Sequence, residues 1–217
     1  TAAELLIAGH EVFVIDNLSN SYKSSLDGPE KLSQKKMVFH EADLRDFQSI
    51  LRFSRDKRID AIIHLAGYKS VGESVLDPVA YFDNNLIPTI NLCKLVEELQ
   101  VKSFLFSSSA TVYGNPSKMP IDEDFSTSDT LSPYAKSKVF NEMILESLES
   151  SRKNLTVVSL RYFNPAGAHP SGLIGEASRR AATNLVPVLS KIAAGDQAEL
   201  LIYGDNYHTP DGTCIRD

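Results

Sequence analysis

Tyr134 and Lys138, in the run PYAKSK (133–138), stand four residues apart. On a helix that spacing puts both side chains on one face. An ammonium beside a phenol favours the phenolate and lowers its pKa from about 10 toward neutrality, so the oxygen can take a proton from a substrate hydroxyl and later return it. Ser107-Ser108-Ser109 closes an apolar run, and Ser109 offers a second hydrogen bond to the same substrate oxygen. A lone Tyr-x-x-x-Lys is also an ordinary exposed helix pair. The serine cluster, Pro133 at the helix start and the pattern upstream turn the reading toward chemistry. Metal chemistry is excluded: His10, His40, His64, His169 and His208 are scattered, no two at ligand spacing. His64, inside AIIHLAG, reads as a core histidine with its hydrogen bond made. Cys93 and Cys214 read as incidental thiols of a reducing compartment.

These residues need elements to position them. Strands are expected at 11–16, 37–40, 61–67, 103–109 and 155–162. Helices are expected at 1–8, 47–55, 78–100 (with Pro88 as a kink), 133–150 and 184–195, with a polar loop over 17–29. Strands alternating with helices imply βαβ units and a parallel sheet covered on both faces, an α/β fold of the Rossmann-type doubly wound class. Ligands of such sheets bind beyond the carboxyl ends of the strands, here Asp16, Asp43, Ala66–Gly67, Ser107–Ser109 and Tyr162–Asn164. Few of these are residues a plain core would want. In a dinucleotide fold, an acid placed like Asp16 accepts from the adenosine ribose hydroxyls and repels a 2′-phosphate, favouring NAD over NADP. Alone, Asp16 reads equally as an exposed turn residue. Asp43 could accept from an adenine amino group or cap the helix that follows.

Composition bounds the rest. A chain of 217 residues is one large domain, or one with part of a second. With 42% hydrophobic and 23% charged residues it can bury a sizeable core, so wholesale disorder is excluded. The net charge of −6 and pI near 5.4 argue against a nucleic acid or an anionic membrane as main partner. No apolar run is long enough to span a bilayer and no signal pattern opens the chain, so a soluble, cytoplasmic protein is expected. TAAELLIA (1–8) starts as though inside a helix, without a cap, and DGTCIRD (211–217) stops at the start of another element. The expectation is a piece of a longer protein.

The residues also carry a resemblance. IDNLSNS (15–21), HLAGYKSVGES (64–74), YFDNNL (81–86), FSSSATVYG (106–114), SPYAKSK (132–138), RYFNPAGAHPSG (161–172) and YGDNYHTPDGTCIRD (203–217) run through the chain in order. Together they resemble the extended short-chain dehydrogenase/reductases, in particular the branch that epimerises UDP-sugars at C4. The resemblance implies an NAD-dependent interconversion of UDP-glucose and UDP-galactose, by oxidation at C4, rotation of the 4-keto sugar and re-reduction, with NAD kept throughout. By the same resemblance Tyr134 is the acid and base, Lys138 holds the nicotinamide ribose, and Ser109 assists at O4. Asp16, Asn17, Asp43, Leu44, Leu65, Ala66, Lys69, Asn84, Ser107 and Tyr162 fall at cofactor positions. Asn164, Asn184, Leu185, Leu201, Tyr203 and Arg216 fall at UDP-sugar positions, and a guanidinium such as that of Arg216 suits a diphosphate. The implied division is a NAD-binding part over 1–162, lacking its first strand and Gly-rich loop, and a partial substrate-binding part over 163–217. A homodimer through the helices 78–100 and 133–150 is implied as well.

Dehydrating and decarboxylating relatives carry an acid where this chain has Ala110 or Thr111, which favours plain epimerisation. Another nucleotide-sugar enzyme of the group, or a non-catalytic NAD-binding regulator, stay as alternatives. Tyr68 stands where the group mostly has Leu. Arg179 and Arg180 depart from its pattern and are expected either near substrate phosphates or in solvent.

Overall fold

A computed structural model describes all residues but 117, 128, 129, 181–183, 203, 216 and 217. The described chain divides into two compact units: Phe13–Asn17 with Val38–Phe163, and Thr1–Val12 with Leu18–Met37 and Asn164–Asp217.

The first unit carries the five strands found among the described residues, β1 (Phe13–Asp16), β2 (Val38–Glu41), β3 (Ala61–His64), β4 (Ser103–Ser109) and β5 (Thr156–Tyr162). All pair in parallel, β1 with β2 and β4 between β3 and β5. Its helices are α3 (Phe47–Ser54), α4 (Val71–Leu76), α5 (Pro78–Leu99) and α6 (Pro133–Ser151). Parallel strands joined through helices give the α/β, Rossmann-type class that the alternation predicts. Flanked on both sides, β4 brings Phe104 and Phe106 to the centre of the core. Ile50 of α3, Leu92, Leu95 and Val96 of α5 and Leu145 of α6 pack there with Ile62 of β3. Burying each such side chain contributes about 1.5–3 kcal/mol. That is enough to fix which face of each element looks inward.

The second unit holds α1 (Ala2–Ile7), a 3-10 turn (Lys23–Leu26), α2 (Asp27–Ser33) and α7 (Leu185–Ala194). Lys35 Nζ donates to the Leu6 carbonyl at 2.7 Å, tying the chain after α2 to α1.

Three expectations change. The loop foreseen over 17–29 contains the 3-10 turn and the start of α2. Pro29 is no obstacle there, because a first-turn residue has no intrahelical partner for its N–H. Gly28 sits so close to the Leu173 carbonyl that a Cβ would lie 2.2 Å from its oxygen. Helix α4 was not foreseen either, although Ser70 caps it by accepting from the Glu73 N–H, the S-x-x-E signature of a helix start. Strand β3 ends at His64, so Leu65–Gly67 already lies beyond the sheet edge. Helix α5 runs as one span through the buried Pro88.

Candidate active site

The carboxyl end of β4 faces the first turns of α6. The start of α6 is fixed locally: Ser132 accepts from the Ala135 N–H at 3.1 Å and Pro133 occupies the first turn. Tyr134 and Lys138 therefore lie one above the other, and both are buried, 8% and 6% exposed. Lys138 Nζ donates to the Ser107 carbonyl at 2.8 Å and lies 4.9 Å from the Phe106 ring centre and 5.9 Å from that of Tyr134. Ser109 is hydrogen-bonded to the Tyr134 phenol. Its Oγ accepts from Thr111 Oγ1 at 2.9 Å and from the Thr111 N–H at 3.3 Å, so its own proton is left for a partner on the phenol side. Of the expected residues, Ser107, Ser109, Tyr134 and Lys138 come together in one cluster.

The electrostatics differ from the expectation in one respect. Burial raises the Tyr134 pKa, and the Ser109 hydrogen bond opposes it. The phenol is thus not made acidic as it stands, because its own burial disfavours the phenolate. Burial pushes Lys138 down to about 8, against the pull of Glu142. The two groups share one poorly solvated site.

His64 on β3 sits beneath this cluster, 2% exposed and held neutral with a pKa of about 3, mainly by burial and then by the charge of Lys138. Thr89 donates to the Asn85 carbonyl and so accepts from His64 Nε2 at 3.1 Å. The expected core histidine is half satisfied, since Nδ1 has no protein partner.

The loop after β3 is held by Asn85 of α5, a residue sequence reasoning passed over. Its Oδ1 accepts from the Tyr68 N–H (2.8 Å) and from Asn84 Nδ2 (3.2 Å), and its Nδ2 donates to the Tyr68 carbonyl (3.1 Å) and to Ser137 Oγ (3.0 Å). A Cβ at Gly67 would come to 3.2 Å from Asn85 Oδ1 and 3.8 Å from Lys138 Nζ. Asn85 is 2% exposed and shares the buried side of α5 with Tyr81, Thr89 and Leu92, so no break in an apolar pattern marked it in the sequence. Glu142 and Arg161 were missed as well. Glu142 repeats the four-residue step from Lys138, and that arithmetic would have found it.

A second cluster lies at the ends of β1 and β2. Asp43 accepts at Oδ1 from Arg45 N and Nε and at Oδ2 from Arg45 Nη2 and Asn17 Nδ2. The Arg45 guanidinium, foremost, holds its pKa near 2. Arg45 also reaches Asp83 of α5 at 2.5 Å. All four acceptor directions of Asp43 are therefore used within the chain, and an adenine contact there would have to exchange one of them. Asp16 ends β1, half-buried. Leu65 is 54% exposed, with Ala66 and Lys69 beside it, and Tyr162, 42% exposed, ends β5. Leu44 packs on the core and its carbonyl accepts from Asn91. This donor set fits a dinucleotide. It combines a strand-end carboxylate suited to vicinal hydroxyls, exposed apolar Leu65 and Ala66 suited to a flat ring, a buried ammonium, and a glycine that leaves the backbone open.

Asn164, Asn184, Leu185 and Leu201 belong to the other unit. There Asn164 is exposed, Asn184 precedes the first residue of α7, and Leu185 and Leu201 are 52% and 60% exposed. Tyr203 and Arg216 lie outside the described residues. Arg179, of unsettled role from sequence, is a structural clasp. Its Nε donates to the Ser21 carbonyl at 2.8 Å and its guanidinium lies 4.4 Å over the Tyr22 ring. The Arg180 N–H donates to Asn20 Oδ1.

Comparison with known proteins agrees with this geometry. The family model described as the NAD dependent epimerase/dehydratase family matches residues 1–217. The chain is 45% identical over 217 residues to a UDP-glucose 4-epimerase of Bacillus subtilis and 43% identical to one of Neisseria meningitidis. In each case the match covers all of this chain and 64% of the relative, so the chain spans about two-thirds of their length at most. The crystal structure of UDP-glucose 4-epimerase from Bifidobacterium longum in complex with NAD+ and UDP superposes with a TM-score of 0.96 at 44% identity, covering the whole chain and 64% of that protein. The enzyme from Stenotrophomonas maltophila, with bound NAD and formylated UDP-arabinopyranose, gives 0.92 at 40%, with the same coverages. With a parallel sheet that opens onto a buried Ser-Tyr-Lys cluster and a family match over its full length, the chain belongs to the NAD dependent epimerase/dehydratase family.

Proposed function

We propose that the protein containing this chain interconverts UDP-glucose and UDP-galactose by NAD-dependent oxidation and re-reduction at C4 of the sugar. The observation that carries the reading is the cluster at the end of β4, where a phenol, an ammonium and a hydroxyl converge in a buried site. NAD, when bound, supplies the hydride acceptor and donor. Tyr134 Oη takes the proton of the sugar O4 and gives it back, and Ser109, its lone pairs occupied by Thr111, aims its proton at the same oxygen. Lys138, anchored on the Ser107 carbonyl, holds ribose hydroxyls and brings positive charge to the phenol as the proton leaves. Asp16, Asn17, Asp43, Leu44, Leu65, Ala66, Lys69, Asn84 and Tyr162 complete the cofactor set. Asn164, Asn184, Leu185, Leu201, Tyr203 and Arg216 hold the UDP-sugar. In this reading residues 1–162 serve the cofactor and 163–217 begin the substrate-binding part, in a cytoplasmic enzyme.

Ala110 has no proton to give and Thr111 already donates to Ser109, so an elimination at C6 lacks its acid. This favours epimerisation over dehydration. The test is incubation of the full-length protein with UDP-galactose and no added reductant. UDP-glucose should accumulate to equilibrium, whereas net NADH or a 4-keto-6-deoxy sugar rejects the reading.

A homodimer through α5 and α6 is part of the proposal. The two helices pack together and still leave Val79, Ile87 and Ile90 of α5 and Phe140 and Met143 of α6 between 37% and 75% exposed. Phe140→Glu in the full-length protein should shift the sedimentation velocity from dimer to monomer, and an unshifted dimer rejects this interface.

A further inference from the structure

One turn beyond Lys138, α6 carries Glu142, a carboxylate that the proposed reaction does not use. Its side chain is 14% exposed. Oε1 accepts the Ser108 hydroxyl. Arg161 of β5 grips both oxygens, with Nε at 3.2 and 3.3 Å and Nη2 at 2.8 Å. Arg161 is itself fixed, donating from Nη1 to Tyr113 Oη at 3.1 Å and to the Glu123 carbonyl at 2.9 Å, with its guanidinium 5.0 Å over the Tyr113 ring.

The arrangement has a simple rule. Three successive residues at one strand end meet three side chains four residues apart on one helix: Ser109 with Tyr134, the Ser107 carbonyl with Lys138, and Ser108 with Glu142. A shift of α6 along β4 would break all three contacts together. The middle serine of the cluster is then an anchor rather than a substrate contact.

Charge follows the same line. The groups that bear on Lys138 are Glu142 and Tyr134 on α6, neutral His64 on β3, and Arg161 on β5 acting through Glu142. Glu142 opposes the effect of burial on the ammonium. Without its carboxylate, Arg161 would stand uncompensated nearby.

We propose that Glu142, clamped between Ser108 and Arg161, is a positioning residue that sets Tyr134 and Lys138 in register on the end of β4 and provides the counter-charge behind Lys138. The inference rests on the epimerase reading for its consequence in turnover, but its electrostatic half is read without any turnover. In the full-length protein with 13C-labelled lysine, Glu142→Gln keeps the shape and removes the charge. The Lys138 resonance, assigned by its loss in Lys138→Met, should titrate about one pH unit lower, as removal of a unit charge one helical turn away in a poorly solvated site demands. Turnover at pH 8 should fall about five- to sixfold, as a one-unit shift from about 8 implies, with KM for UDP-galactose within about twofold.

Ser108→Ala leaves the charges alone and removes the anchor. It should lower kcat about three- to tenfold, the worth of one charge-assisted hydrogen bond, with the lysine titration within about 0.3 unit of the parent. An unmoved Lys138 titration in Glu142→Gln, with only a lower melting temperature, would reduce Glu142 to a structural tie and overturn the proposal. Should Glu142→Gln fail to fold, parental kcat in Ser108→Ala overturns it equally. If the parent protein does not interconvert the sugars at all, the epimerase reading falls on its own, and the lysine titration still decides the counter-charge.

Discussion

The pH dependence of turnover should follow Lys138. Burial holds this ammonium at about 8, well below the 10.5 of a free lysine. The proposed reaction needs it charged, both to hold ribose hydroxyls and to accompany the developing phenolate. With a pKa depressed to 8, the charged form prevails below that pH and is lost above it, so activity must fall on the alkaline side. At pH 7 about ten molecules in eleven carry the charge, and at pH 9 about one in eleven, so kcat/KM should drop roughly tenfold across that interval. The assay is conversion of UDP-galactose by the full-length enzyme from pH 6 to 10, in parent and Lys138→Arg. A guanidinium does not titrate in this range. Lys138→Arg should therefore be slower at every pH, since its fork cannot reproduce the single bond to the Ser107 carbonyl, yet show no decline between pH 7 and 9. A profile that stays flat to pH 10 in the parent, or an alkaline limb unmoved by Lys138→Arg, would refute the assignment.

Other outcomes can be checked directly. Tyr134→Phe removes the only phenolic oxygen in the cluster and should cut kcat by about 10²–10⁴ while leaving the melting temperature close to the parent's, as read by turnover and calorimetry. Asn85→Ala strips four hydrogen bonds from a site 2% exposed and leaves the Tyr68 N–H and carbonyl without those partners, so urea unfolding should show a loss of about 3 kcal/mol or more. Burial raises the Cys93 thiol to about 11, so iodoacetamide at pH 8 should leave Cys93 unmodified in the native protein and label it after denaturation, as peptide mapping will report.

Much of the architecture was legible in the residues. Hydrophobic runs ending in polar or glycine residues located all five strands, and Ser132-Pro133 located the start of α6, because burial and capping are local requirements written in residue type. Elements without such a pattern were missed. Helix α2 carries in its first turn a Gly-Pro pair that is indistinguishable from a turn until the Leu173 carbonyl packs on Gly28. The six-residue α4 is too short for its periodicity to register, although its cap was readable.

The sequence by itself determined which groups could do chemistry and that they share a helix face, since a four-residue step is a property of the helix and needs nothing else. It could not determine their acidities. The expected direction for Tyr134 was reversed in this structure because a pKa depends on how much water and which charges surround the group, and burial of both Tyr134 and Lys138 arises only when α6 is laid on the end of β4. In the same way Asp43 stood between adenine acceptor and helix cap until Arg45 and Asn17 closed on it, Arg179 stood between phosphate ligand and solvated cation until it stacked on Tyr22, and Ser108 looked equivalent to its neighbours until Glu142 took its hydroxyl. Residue type and spacing act along the chain, whereas desolvation and hydrogen-bond partnership are made by segments distant in sequence, and those only the tertiary structure brings together.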